Sequence, residues 1–78
     1  MPQEKALTEK DLAAQAKRFR EQTKKTRATA AREMQVSQTS IFNAEESPDQ
    51  SLLKLRVRMI ETYSPFKVVG PIFFLERK

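Results

Sequence analysis

The chain has 78 residues, a formal net charge of +5, no cysteine and no histidine. That length holds one small domain and leaves little apolar surface to bury, so association between copies is an expected source of stability. The missing residue types remove disulfides, thiolate metal sites and the commonest general base; with no pocket motif around the carboxylates or lysines, an enzyme is not expected, nor is a cofactor, a metal or a small-molecule substrate. No apolar run approaches the roughly 20 residues of a membrane span, and the N-terminus lacks the apolar core of a signal peptide. The expected address is the cytoplasm, with no membrane partner.

Residues 1–7 show no periodicity and read as a loose arm. Thr8 is a good N-cap, with Glu9 and Asp11 set against the positive helix end, and Leu7 and Leu12 at the two positions of a hydrophobic staple. Leu12, Ala16 and Phe19 share one stripe of a first helix that runs to about Gln22, where no glycine marks the end. Between Lys17 and Arg32 the chain carries Lys17, Arg18, Arg20, Lys24, Lys25, Arg27 and Arg32 against Glu21 alone. A positive field of that density draws a polyanion.

Thr26 caps a second helix, about Arg27 to Met34, built on Ala30, Ala31 and Met34. Gln35 then stands in a tight turn where a glycine would relieve left-handed backbone, at a cost on the order of 1 kcal/mol if it adopts positive φ. Val36 plugs the turn into the core. Ser37 caps a third helix reaching about Glu45, with Ile41 and Ala44 inward and Gln38, Thr39, Phe42 and Asn43 on the other side.

Residues 26–45 resemble the helix-turn-helix of the Cro and phage-repressor (xenobiotic-response-element) family. The resemblance rests on Thr26, Ala30-Ala31, the apolar positions Met34, Val36, Ile41 and Ala44, the polar start Ser37-Gln38-Thr39-Ser40, and Glu45; more loosely it extends over residues 8–63. It implies that Gln38, Thr39 and Asn43 reach base edges in the major groove, where Gln and Asn pair bidentately with adenine and the Thr39 methyl meets the thymine methyl. It further implies that Thr26 and Arg27 meet phosphates, with Lys24 and Lys25 beside them, and that Arg20 pairs with Glu45. Two departures stand out: Gln35 replaces the turn glycine, and the segment after the third helix is acidic (Glu45, Glu46, Asp49).

Ser47-Pro48-Asp49-Gln50 reads as the start of a fourth helix, with Ser47 as cap, Pro48 in the first helical position and Gln50 completing a capping box. Leu52, Leu55, Met59 and Tyr63 form its stripe, Leu53, Val57 and Ile60 widen it, and Lys54, Arg56 and Arg58 line the outer side. Beyond Ser64-Pro65, the runs Phe66–Val69 and Ile72–Leu75 flank Gly70-Pro71 as a β-hairpin. Its second strand is apolar on both faces, which invites pairing with another chain; Ile72, Phe73, Phe74 and Leu75 are the expected dimer contacts.

The expected fold is therefore mainly α, a four-helix helix-turn-helix domain of lambda-repressor-like type over residues 8–63, with a C-terminal β-hairpin over residues 64–78 as dimerisation element. The expected function is sequence-specific binding of double-stranded DNA as a homodimeric, repressor-like regulator on a palindromic operator. The alternative is an antitoxin-like protein-interaction module of the same fold that grips another protein with its tail.

Overall fold

A computed structural model describes residues 7–69 and 74–78. Helices α1 (Glu9–Gln22), α2 (Arg27–Met34), α3 (Gln38–Glu46) and α4 (Leu53–Tyr63) precede strands β1 (Phe66–Val69) and β2 (Phe74–Arg77). The fold is mainly helical, and the strands form a two-stranded antiparallel hairpin. Helix α1 lies against α3 and α4, α2 packs on α3 and α4, and β1 lies along α4.

The first three helices begin where their side-chain chemistry dictates. The Thr8 hydroxyl accepts from the Asp11 backbone N–H (3.2 Å) while the Asp11 carboxylate accepts from the Thr8 N–H (2.9 Å), a reciprocal capping box. Thr26 and Ser37 do the same one-way service for α2 and α3, accepting from Thr29 N–H and Ser40 N–H. Leu7, expected in a loose arm, is buried with Leu12 in the core, and residues 1–6 of that segment lie outside the described residues.

Both α1 and α2 end in Schellman geometry without a glycine. After α1, Lys24 takes φ 59°, its N–H donates to Glu21 O, and the Lys25 N–H donates to Arg20 O. After α2, Gln35 takes φ 61°, its N–H donates to Arg32 O, and the Val36 N–H donates to Ala31 O. Val36 is thereby turned against the core. Left-handed backbone costs a residue with a β-carbon roughly 1–2 kcal/mol, whereas glycine adds about 0.4–1 kcal/mol of chain entropy to the unfolded state. Gln35→Gly should therefore stabilise the protein by about 0.5–1 kcal/mol, a rise in Tm of a few degrees in a thermal melt. An unchanged or lowered Tm would mean that the glutamine side chain supplies a compensating contact.

The fourth helix corrects the sequence expectation. It starts at Leu53, its cap residue Leu52 makes no side-chain capping bond, and Pro48 lies in a turn. Ser47 closes α3 instead: its N–H donates to Asn43 O (2.9 Å), and the Gln50 N–H then donates to Ser47 O (3.0 Å). Arg56, expected on the outer side, is fully buried, with a relative exposure of 0 %. Its guanidinium donates to Ala44 O (2.9 Å), Gln50 O (2.9 Å) and Ser47 O (2.7 Å), and pairs with the Glu9 carboxylate (2.9 Å). One side chain thus collects carbonyls of α3 and the following loop and ties them to the start of α1. Lys54 and Arg58 are exposed as expected.

The second strand, expected at Ile72–Leu75, runs on to Arg77 in its described part. Register pairs Phe66 with Arg77, Lys67 with Glu76, Val68 with Leu75 and Val69 with Phe74. Alternation then puts Phe66, Val68 and Leu75 on one face, and all three pack against the helical core, with the Phe66 and Phe19 rings 5.9 Å apart between centroids. Glu61 of α4 fastens the hairpin by accepting from the Val68 N–H (3.0 Å). Leu75, expected at a dimer interface, is instead part of its own chain's core. The turn expected at Gly70-Pro71, together with Ile72 and Phe73, lies outside the described residues.

Candidate nucleic-acid interface

Helix α3 divides cleanly by burial. Ile41 and Ala44 are enclosed, while Gln38 and Thr39 are exposed and their side chains make no hydrogen bond within the described residues. Asn43 is half-buried, and its carboxamide oxygen accepts a long bond from the Ser47 hydroxyl (3.5 Å). Phe42, 43 % exposed, lies under the Arg27 guanidinium at 5.0 Å. The three residues expected to read bases thus share α3, with two of them open to an incoming ligand.

Behind this face sits an ion-pair network that the sequence hinted at only in part. Arg20 grips Glu45 with two N–H groups, Nε to Oε2 at 2.5 Å and Nη2 to Oε1 at 3.1 Å, as the resemblance implied. Its remaining Nη1 donates to Lys25 O (2.7 Å), which pins the α1–α2 link. Arg27 donates Nε to Glu45 (2.9 Å) and Nη2 to Glu46 (2.8 Å), and Lys17 reaches Glu46 at 2.8 Å. Glu45 has no side-chain exposure, whereas Glu46 and Arg27 each keep 34 %. The acidic end of α3 is therefore not a bare negative patch, because three cations from α1 and α2 neutralise it.

This arrangement redistributes the residues expected to hold phosphates. Arg27 is engaged with two carboxylates, Lys25 pairs with Glu33 (3.1 Å), and the Thr26 hydroxyl is occupied in capping α2. Lys24 is exposed and makes no ion pair among the described residues. A phosphate approaching α2 would meet Lys24 freely and would compete with Glu45 and Glu46 for Arg27.

A second anchor holds α2 to α4. The Tyr63 hydroxyl donates to Glu33 at 2.6 Å. Burial, reinforced by that bond, pushes the Tyr63 phenol well above its usual range, and the same bond, with Lys25 beside it, holds Glu33 below its own. The hydrogen bond from Lys17, with its charge and that of Arg27, likewise holds Glu46 below the ordinary carboxylate value. A carboxylate whose folded-state pKa is depressed contributes stability that is present above its unfolded value and lost as pH falls through the folded one. The Tm should accordingly stay level towards pH 5 and fall below about pH 4.5. Glu33→Gln and Glu46→Gln together should flatten that fall in far-UV circular dichroism melts; an undiminished slope would place the acid sensitivity elsewhere.

Sequence reading missed Arg56, the Lys17–Glu46 pair and the Tyr63–Glu33 bond. A signal existed for Arg56 alone: it stands four residues after Leu52 and three before Met59, on the apolar stripe of α4. Among the described residues no helix is long and apolar enough to cross a membrane. Comparison with family models, curated proteins and solved structures returns no match.

Proposed function

We propose that the chain is a helix-turn-helix regulator of lambda-repressor-like type that binds specific double-stranded DNA, with α3 as its recognition helix. The observation that carries this reading is the pairing of α2 and α3 across a three-residue link, with Gln38 and Thr39 open and unpartnered at the start of α3. Their donors, acceptors and methyl are those that discriminate base pairs in a major groove. The buried Arg20–Glu45 pair supports it by fixing α3 against α1, since a recognition surface needs a rigid mount. Composition argues in the same direction: a basic chain without histidine or cysteine has poor means for hydrolytic chemistry and good means for holding a polyanion.

The regulator acts as a homodimer in this reading, because one recognition helix spans few base pairs and two related by a two-fold axis read half-sites about 34–36 Å apart. Strand β2 pairs with β1 along one side only among the described residues, which leaves its other edge available for a second copy.

Selection of bound duplexes from a random pool tests both points, with a consensus of two inverted half-sites as the expected result. Gln38→Ala should relax the consensus at one position per half-site and cost about 1–3 kcal/mol on the selected duplex. It should leave affinity for random DNA unchanged, whereas Lys24→Ala should weaken all duplexes alike. Equal losses on selected and random DNA for both variants would remove α3 from the role of reader. Light scattering should give twice the 9.0 kDa chain mass at micromolar concentration; a monomer there would remove the dimer.

A further inference from the structure

We infer that the groove between the α2–α3 turn and the start of α4 is a docking site for an acidic amphipathic helix of a partner protein. The groove encloses about 630 Å³ and is lined by Val36 and Ser40 on one side and Ser51 to Leu55 with Arg58 on the other. Val36, Leu52 and Leu53 are only half-buried there, so its floor is apolar and reachable. Lys54 and Arg58 stand at its rim, both exposed and, unlike Lys17, Arg20, Lys25 and Arg27, in no ion pair among the described residues.

Charge complementarity decides the occupant. Lys54 and Arg58 are four residues apart on one helix and therefore stack along a single face of α4. Carboxylates one turn apart on an incoming helix match that spacing, while its apolar side chains enter the floor. A nucleic-acid backbone satisfies the cations but leaves the exposed parts of Leu52, Leu53 and Val36 uncovered. The pattern wanted of the partner is therefore Asp or Glu at helical spacing beside Leu, Ile, Met or Phe. Gln38 and Thr39 are not among the residues that line the groove, although Ser40 beside them is, and the apolar and cationic groups used here do not depend on α3 reading DNA.

The test is selection of short peptides from a random displayed library on the immobilised chain, with excess soluble Lys54→Glu/Arg58→Glu variant as competitor. Both substituted residues are exposed, so the variant keeps the fold. Enriched peptides should combine apolar residues at helical spacing with flanking acids. A synthetic copy should shift the amide resonances of Val36, Leu52, Leu53, Lys54 and Arg58. Reversal of the two charges should weaken that peptide about tenfold or more, each exposed pair accounting for up to about fivefold and the added repulsion for the remainder. Replacing the acids of the peptide with lysines should weaken it by as much on the wild-type chain. The inference is overturned if no peptide is enriched, if enriched peptides lack acids, or if the shifts fall elsewhere. It is equally overturned if random duplex DNA shifts these residues while no acidic peptide does, since the groove would then be a nucleic-acid surface.

Discussion

Replacing Arg56 with alanine is expected to remove a large share of the stability of this protein. The guanidinium is fully buried and donates to the carbonyls of Ala44, Ser47 and Gln50. Truncation leaves those acceptors without their donor and opens a void where the side chain lay. Each unsatisfied buried group costs about 1–3 kcal/mol, and some of that is recovered where water enters the loop, so the net loss should be about 3–5 kcal/mol. A domain of this size has a total stability of roughly 4–12 kcal/mol. Urea denaturation followed by circular dichroism should show a midpoint displaced to low denaturant, or a chain already unfolded in buffer. Arg56→Lys should fall between, because a single ammonium cannot span three carbonyls that a planar fork reaches from several sides. A loss below about 1 kcal/mol for the alanine variant would show that the loop satisfies its own carbonyls.

The second large effect concerns Glu45, and it has a diagnostic sign in combination. Glu45→Ala strands the Arg20 guanidinium, whose side chain is 8 % exposed, with its bond to Lys25 O as the main remaining contact. Removing one partner of a buried pair costs about 3–5 kcal/mol, and the surviving carbonyl bond puts the expectation at about 3 kcal/mol. Arg20→Met should cost a similar amount, for Glu45 then keeps only Arg27. The double variant Arg20→Met/Glu45→Leu should lose far less than the sum of the two, since neither charge is then left buried alone. Strict additivity would mean that the two groups do not act as a pair. If α3 reads DNA, the double variant should also separate stability from binding, remaining folded while its affinity for selected duplexes drops with the lost orientation of α3.

The legible parts of the fold were those governed by local chemistry. Thr8, Thr26 and Ser37 announced the first three helices because a cap bond lies within a few residues of its acceptor, and Gln35 stood in a turn tight enough to raise the left-handed backbone that it adopts. Ser47-Pro48-Asp49-Gln50 carried the same local grammar and misled, because the segment was used to end α3 rather than begin α4. What overrode it came from a distance: Arg56 gathers the carbonyls of that loop, so an irregular segment lies over the core without a helix to satisfy it. Helical spacing put Arg56 on the apolar stripe of α4, but its charge argued for the surface, and only the three-dimensional arrangement of acceptors reverses that argument. The end of the second strand at Arg77 was missed for a related reason. Four consecutive apolar residues give no alternation to fix a register, which here is set by Val68 and Leu75 sharing the face against the helices.

At the candidate site, Gln38 and Thr39 emerged where helical spacing put them, and the Arg20–Glu45 pair was implied by the resemblance, while the pairing of Lys17, Lys25 and Arg27 was not legible. A run of like charges reads as free in sequence, and its partners Glu45 and Glu46 come from α3.

That pairing has a consequence for how the chain meets any polyanion. The phosphates of a duplex carry condensed cations that are set free when a lysine or arginine takes their place, and the entropy of that release gives binding its steep response to ionic strength. Lys17, Arg20, Lys25 and Arg27 already carry carboxylates as internal counterions. A phosphate that recruits one of them frees a cation but leaves behind a bare carboxylate that gathers a cation in turn, so the net release is small. The response to ionic strength should therefore report Lys24, Arg32 and other cations without an ion pair among the described residues, and be far shallower than a count of basic residues along α1 and α2 would suggest.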